Sequence, residues 1–148
     1  MRIEVDQSGR IEDPRVKTVL AFSNGKSYAV LIPARVKREA LEILRQRYTQ
    51  PRVLYLKIFS AGLYLLLKGI IDSVELITID VEYEGKDEII KGLLLGKIRR
   101  VKPNFSKHAI RFNRVGKKPP AHHRAYKTYI EKEKPDRVIA AQDLLELL

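Results

Sequence analysis

Val16-Lys17-Thr18-Val19-Leu20-Ala21-Phe22-Ser23-Asn24-Gly25-Lys26-Ser27-Tyr28-Ala29-Val30-Leu31-Ile32 holds two runs of β-branched, aliphatic and aromatic residues, Val16 to Phe22 and Tyr28 to Ile32, around Ser23-Asn24-Gly25-Lys26. Asn-Gly between two such runs is the strongest short-range hairpin signal, because both residues tolerate the positive φ of a tight turn. The spacing predicts two antiparallel strands. Upstream, residues 2–8 alternate, with Ile3 and Val5 on one face and Glu4, Asp6 and Ser8 on the other before Gly9, which reads as a strand carrying its acids on a single face. Glu12-Asp13-Pro14 supplies a second reversal, so residues 2–32 read as a three-stranded antiparallel meander.

Beyond the meander, helical and strand periods alternate. Pro33 suits the first turn of a helix, and Val36, Ala40, Ile43, Leu44 and Tyr48 follow helical spacing until Thr49-Gln50-Pro51. Val53 to Phe59 reads as a short strand and Ala61 to Ile71 as an apolar helix. Val74 to Tyr83 is rich enough in Ile and Val to be an interior strand, and a helix is expected from about Lys86 to Val101. His108 to Val115 alternates as a strand, Gly116 to Pro120 is a loop, and Ala121 to Lys134 is helical. Arg137 to Ala141 then reads as a short strand with a helical end to Leu148, or as one continuous helix with it. The expected architecture is a single α/β domain over residues 1–148, bordering on α+β, with a mixed sheet and flanking helices.

Composition narrows the chemistry. The 148 residues include no cysteine, which excludes disulfides, thiolate zinc sites, iron–sulfur clusters and a cysteine nucleophile. No serine stands in a nucleophile-elbow pattern and no glycine pattern forms a phosphate-binding loop. Few Asn and Gln, one Met and much Ile, Lys and Glu are what a thermophilic source favours. The N-terminus lacks an apolar signal core, and the stretch Phe59 to Ile71 is interrupted by Lys68 and shorter than the ~20 residues of a membrane span, so a cytoplasmic protein is expected.

The formal net charge of +11 is unevenly placed: residues 89–130 hold 12 Lys and Arg and no Asp or Glu. Such a span repels itself unless an anion meets it, and nucleic acid is the expected partner. Arg99, Arg100 and Lys102 crowd a helix end, Lys107, Arg111 and Arg114 mark the next strand, and Lys117, Lys118, His123 and Arg124 surround the Pro-Pro loop. Phosphate neutralisation by these side chains gives sequence-independent affinity with a steep salt dependence. Dipole complementation explains basic residues at one helix end but not the whole span. The adjacent His122 and His123 point about 100° apart on a helix, a poor metal pair; His123 is the candidate proton shuttle.

The second source of chemistry is carboxylate. Two divalent ions held about 4 Å apart by Asp and Glu drive phosphodiester hydrolysis without other groups, and hard oxygen ligands suit Mg²⁺ or Mn²⁺. Asp6 lies in the first strand before Gln7-Ser8-Gly9, Asp80 near the carboxyl end of the strand Val74 to Tyr83, and Glu82 on the same strand face as Asp80. Further candidate acids are Asp136, Asp143 and Glu39. Each has a plainer alternative: Asp6 as a turn-bonding residue, Glu82 as a surface charge, Asp136 as a helix N-cap after Pro135.

Ile3-Glu4-Val5-Asp6-Gln7-Ser8-Gly9 and Ile77-Thr78-Ile79-Asp80-Val81-Glu82-Tyr83, in this order of elements, resemble the ribonuclease-H-like superfamily, whose pattern is a three-stranded antiparallel start with an Asp on its first strand, a later strand with a second acid, and a late acid on the closing helix. The resemblance implies a two-metal nuclease acting on RNA–DNA hybrids, RNA or branched DNA, with Asp6 and Asp80 bridging the ions and Asp136 or Asp143 as the late acid. Val53 to Ile71 departs from the pattern by adding an element or two. A non-catalytic RNA- or DNA-binding protein using residues 89–130 is the alternative reading.

Overall fold

The computed structural model describes residues 1–114 and 120–148. The meander is present as β1 (Arg2–Ser8), β2 (Thr18–Ser23) and β3 (Ser27–Ile32), joined antiparallel with Asp6 opposite Ala21 and Phe22 opposite Tyr28. Gly25 takes a φ of 100° in the hairpin turn, the conformation for which Asn-Gly is selected. β4 (Leu76–Asp80) adds parallel to β1 and β5 (Ile110–Asn113) parallel to β4, while β6 (Arg137–Val138) adds parallel to β3. The result is a six-stranded mixed sheet of order β5-β4-β1-β2-β3-β6 in an α/β fold.

Two layers of helix cover the sheet unequally. α1 (Ala34–Arg47), α2 (Pro51–Leu67), α3 (Asp87–Val101) and α5 (Ala141–Leu145) share one core with Ile3, Val5, Leu20, Phe22, Val30 and Ile32, the apolar face of the meander. α2 is buried nearly all round, from Leu54 through Leu67. That environment corrects the expected strand at Val53 to Phe59: it is the first half of α2, opened by Pro51 at its first turn. A helix enclosed on all sides has no polar face, so its sequence loses helical periodicity and a short β-branched and aromatic stretch mimics a strand.

Among the described residues, α4 (Pro120–Tyr129) is the one helix on the opposite face, over β1, β2 and β3. Val19, Ala21, Ala29 and Ala125 form its buried interface, with Leu31 and Tyr129 packed at the edge. The alanines let the helix approach the sheet closely, and Gly9 takes the same role at the strand end. Its φ is 80°, and a Cβ there would collide with the Lys17 carbonyl and the Tyr129 ring. α4 ends at Tyr129 rather than running to Lys134, and Glu131 follows with a φ of 65°. Of the expected loop Gly116 to Pro120, residues 116–119, with Lys117 and Lys118, lie outside the described residues, and Pro120 is the first residue of α4. Among the described residues no helix is long and apolar enough to cross a membrane.

Candidate metal centre

β1 and β4 are neighbouring parallel strands with Val5 opposite Ile79, so their carboxyl ends finish side by side. Side chains alternate across a strand, and the Glu4–Asp6 face of β1 turns away from the main core toward α4. Asp6 and Asp80 therefore arrive at the same end of the same sheet. Glu82 joins them at the expected spacing of two residues: β4 ends at Asp80, but the Val81 N–H still donates to the Asn113 carbonyl of β5 at 3.1 Å, and the Glu82 carboxylate stands beside that of Asp80. The ligand oxygens of Asp6, Asp80 and Glu82 all lie within 4.8 Å of one another. The three line a cleft of about 340 Å³ together with Gln7, Val81, Arg114 and His122.

Asp6 is only 4% exposed and its carboxylate is held from two sides. Oδ1 accepts the Gln7 backbone N–H at 2.8 Å, and Oδ2 lies 2.9 Å from His122 Nδ1. His122, on α4, is in turn stacked parallel to Tyr126, with ring centroids 6.5 Å apart, and is partly buried. Burial and the neighbouring Asp80 charge raise the Asp6 pKa above the ordinary carboxylate value. The Glu82 carboxyl is pushed up to about 8, first by burial and then by the charges of Asp6 and Asp80, with which it also shares hydrogen bonds. Beneath the cleft, Tyr83 OH accepts from Gln7 Nε2 at 3.3 Å and from the Ile11 N–H, and its ring packs on Tyr55 and Phe59 of α2. That tie fixes the segment carrying Glu82 to the end of β1.

The raised Glu82 value has a measurable consequence in metal-free protein. Between its ordinary value of 4.5 and about 8, Glu82 is protonated in the folded chain and ionised in the unfolded one. The folded state thus binds more protons, and this group's contribution to stability is full below that window and is lost as pH rises through it. In EDTA, the wild-type melting temperature is expected to fall across this range relative to Glu82→Gln, which stays neutral throughout. Parallel curves for the two proteins would show that the carboxylates are not coupled in this way.

The other expected acids do not reach the cluster. Asp136 Oδ2 accepts the Ala29 N–H at 2.8 Å and Arg124 Nη2 at 2.9 Å, so it ties β3 to α4 as a structural residue. Asp143 pairs with Arg137 at 2.8 Å. Glu39 is exposed on α1. Arg124 is corrected with Asp136: its side chain is only 11% exposed and is engaged by Thr128, Glu133, the Lys134 carbonyl and Asp136, which leaves it for cohesion rather than for phosphate.

The remaining basic residues spread over several surfaces. Arg114, at the cleft, pairs with Glu84. Arg111 Nε donates to Thr78 Oγ1 at 3.0 Å on the sheet face that α4 leaves uncovered beside β1. Arg99 Nε donates to the Phe105 carbonyl, and Lys102 Nζ reaches the Ile71 carbonyl, so both brace the end of α3. Lys107, Arg100 and His123 are exposed. His122, not His123, meets the acids. The phase of α4 carries that distinction, since His122 falls with Ala121, Ala125 and Tyr129 on the sheet-facing stripe and His123 does not.

No family model, curated protein or solved structure matches this chain. Its function therefore rests on the geometry of the cleft.

Proposed function

We propose that the chain is a metal-dependent nuclease of ribonuclease-H-like architecture that hydrolyses phosphodiester bonds. The observation that carries the reading is the convergence of Asp6, Asp80 and Glu82 within 4.8 Å at the carboxyl ends of β1 and β4. The order of elements supports it: an antiparallel meander with Asp6 on its first strand, helices, then a parallel strand ending in Asp80. Glu82 takes the third position for which Asp136 and Asp143 are too far away.

The donor set fits a hard divalent cation, Mg²⁺ or Mn²⁺. All three donors are carboxylate oxygens, and their mutual repulsion in a buried place is the strain a cation relieves. Bound there, such an ion supplies Lewis-acid activation of water and stabilises the charge on the leaving oxygen. The chain's own residues supply the rest. Asp6, Asp80 and Glu82 would hold the cation, and the Gln7 N–H and His122 fix the orientation of the Asp6 carboxylate. Arg114 at the rim and Arg111 on the adjoining sheet face meet the anionic backbone of the substrate. Nucleic acid as the partner is supported by the acid-free, basic composition of residues 89–130, of which Arg114 lines the cleft and Arg111 lies on the adjoining sheet face.

The test is a cleavage gel on labelled RNA, DNA, RNA–DNA hybrid and branched DNA, with Mn²⁺ or with EDTA, at low and moderate salt. Products that form with Mn²⁺ and not with EDTA are expected. Substrate that is shifted but uncut under every condition overturns the nuclease assignment and leaves a nucleic-acid-binding protein.

A further inference from the structure

A second cleft, of about 310 Å³, lies in the helical layer that covers the opposite sheet face from α4. Lys57 of α2 and Lys97 and Arg100 of α3 converge on it, and Tyr48, Gly92, Gly96, Leu147 and Leu148 complete its wall. No aspartate or glutamate lines it. Lys97 is half-buried, and among the described residues neither it nor Arg100 makes an ion pair or a hydrogen bond. Lys57 Nζ lies 4.5 Å from the centre of the Tyr48 ring, a contact that holds the ammonium at the cleft without neutralising it. The Leu148 main-chain oxygen accepts from Arg47 Nη1 at 3.4 Å. Burial, and after it the charges of Lys57 and Arg100, lower the Lys97 pKa, as expected for cations held close together.

The floor is built to admit a ligand. Gly92 and Gly96 are one helical turn apart on α3, and a Cβ at either would meet nothing within 4 Å. Two glycines in a helix interior weaken it, with no tight packing here that requires them. Their effect is an open trough beside three cations.

We propose that this cleft is a phosphoryl-binding site, formed by Lys57, Lys97 and Arg100 over the Gly92–Gly96 trough. The phosphoryl group is either a phosphodiester of a nucleic-acid strand or a free phosphate. The site shares no residue with the carboxylate cluster and does not depend on the nuclease reading.

The full chain is titrated with fluorescein-labelled single-stranded RNA in EDTA, where cleavage plays no part, over a series of salt concentrations. Its melting temperature is followed separately with inorganic phosphate. Three proteins are compared: wild type, Lys97→Gln/Arg100→Gln, and Gly96→Glu. Gly96→Glu sets a carboxylate among the cations at an open helix position, so it is expected to melt no lower than wild type.

If a strand occupies the site, the double variant loses at least about tenfold in affinity at low salt, and its slope of log affinity against log salt falls by about 1.4, or ~0.7 for each lost phosphate contact. Gly96→Glu weakens RNA binding likewise. Unchanged RNA binding with loss of phosphate-induced stabilisation in both variants assigns the site to free phosphate. Folded variants that match wild type in both readouts overturn the proposal.

Discussion

Asp6→Asn is expected to lower the metal-dependent cleavage rate at least about a thousandfold, because losing several kcal/mol of transition-state charge stabilisation, taken as ~4, corresponds to a factor of that size. The substitution is close to isosteric and keeps an oxygen for the Gln7 N–H that Oδ1 now accepts at 2.8 Å. It removes one of three ionisable donors from the cluster. Taking a like charge out of a buried set also relieves repulsion, so the metal-free variant should melt at least as high as wild type. The same variant should lose most of the rise in melting temperature that Mn²⁺ gives wild type, since a ligand stabilises only the state that binds it. Cleavage at an undiminished rate by Asp6→Asn would remove the cluster from the chemistry.

The largest expected effect on stability lies away from the acids, at Lys37. This side chain is 0% exposed, yet it carries an ammonium group. Nζ donates to the carbonyls of Arg10 and Asp13 at 2.8 Å each and to Thr18 Oγ1 at 3.1 Å. Three donors meet three oxygens, so α1 grips the connection between β1 and β2 from inside. Lys37→Met keeps the volume and strands those oxygens out of water, at a cost of about 4 kcal/mol. For a chain of this size that corresponds to a fall in melting temperature of about 10 °C. Thermal unfolding followed by circular dichroism measures it, and a fall under a few degrees would mean that water or backbone shifts satisfy the oxygens instead. The gripped connection includes Ile11, whose N–H reaches Tyr83 OH, so the variant also loosens the support under Glu82.

What the sequence made legible follows from how local each signal is. The hairpin at Ser23–Lys26 is written in adjacent residues, and the alternation of Ile3, Val5 and Asp6 fixes a strand face without reference to anything distant. Asp6 and Asp80 were readable for the same reason: strand ends in an α/β sheet collect ligands at one edge. α2 was not, because its burial on nearly every side blurs the helical period. Glu82 was readable from its spacing of two residues from Asp80, and Val81 between them stays bonded to Asn113 of β5, so the two carboxylates share one side. The pairing of Arg124 with Asp136 joins two elements across a turn and took both residues away from the chemistry proposed for them. Pair partners of that kind are set by tertiary packing, which residue type alone does not encode.

The interface under α4 is built from small side chains: α4 buries Ala121, Ala125 and Thr128 against Val19, Ala21 and Ala29, whereas an extended core of large apolar residues fills the other side of the sheet. Cooperative opening of a segment takes free energy in proportion to the apolar surface it exposes, so α4 should open sub-globally well before the rest unfolds. Amide protons of Ala125 and Thr128 should then exchange with solvent deuterium faster than those of Leu63 and Leu66 in α2. Because His122 rides on α4, each such excursion also uncouples the imidazole from Asp6, and the acidic edge of the sheet alternates between a braced and an unbraced form while the fold itself stays intact.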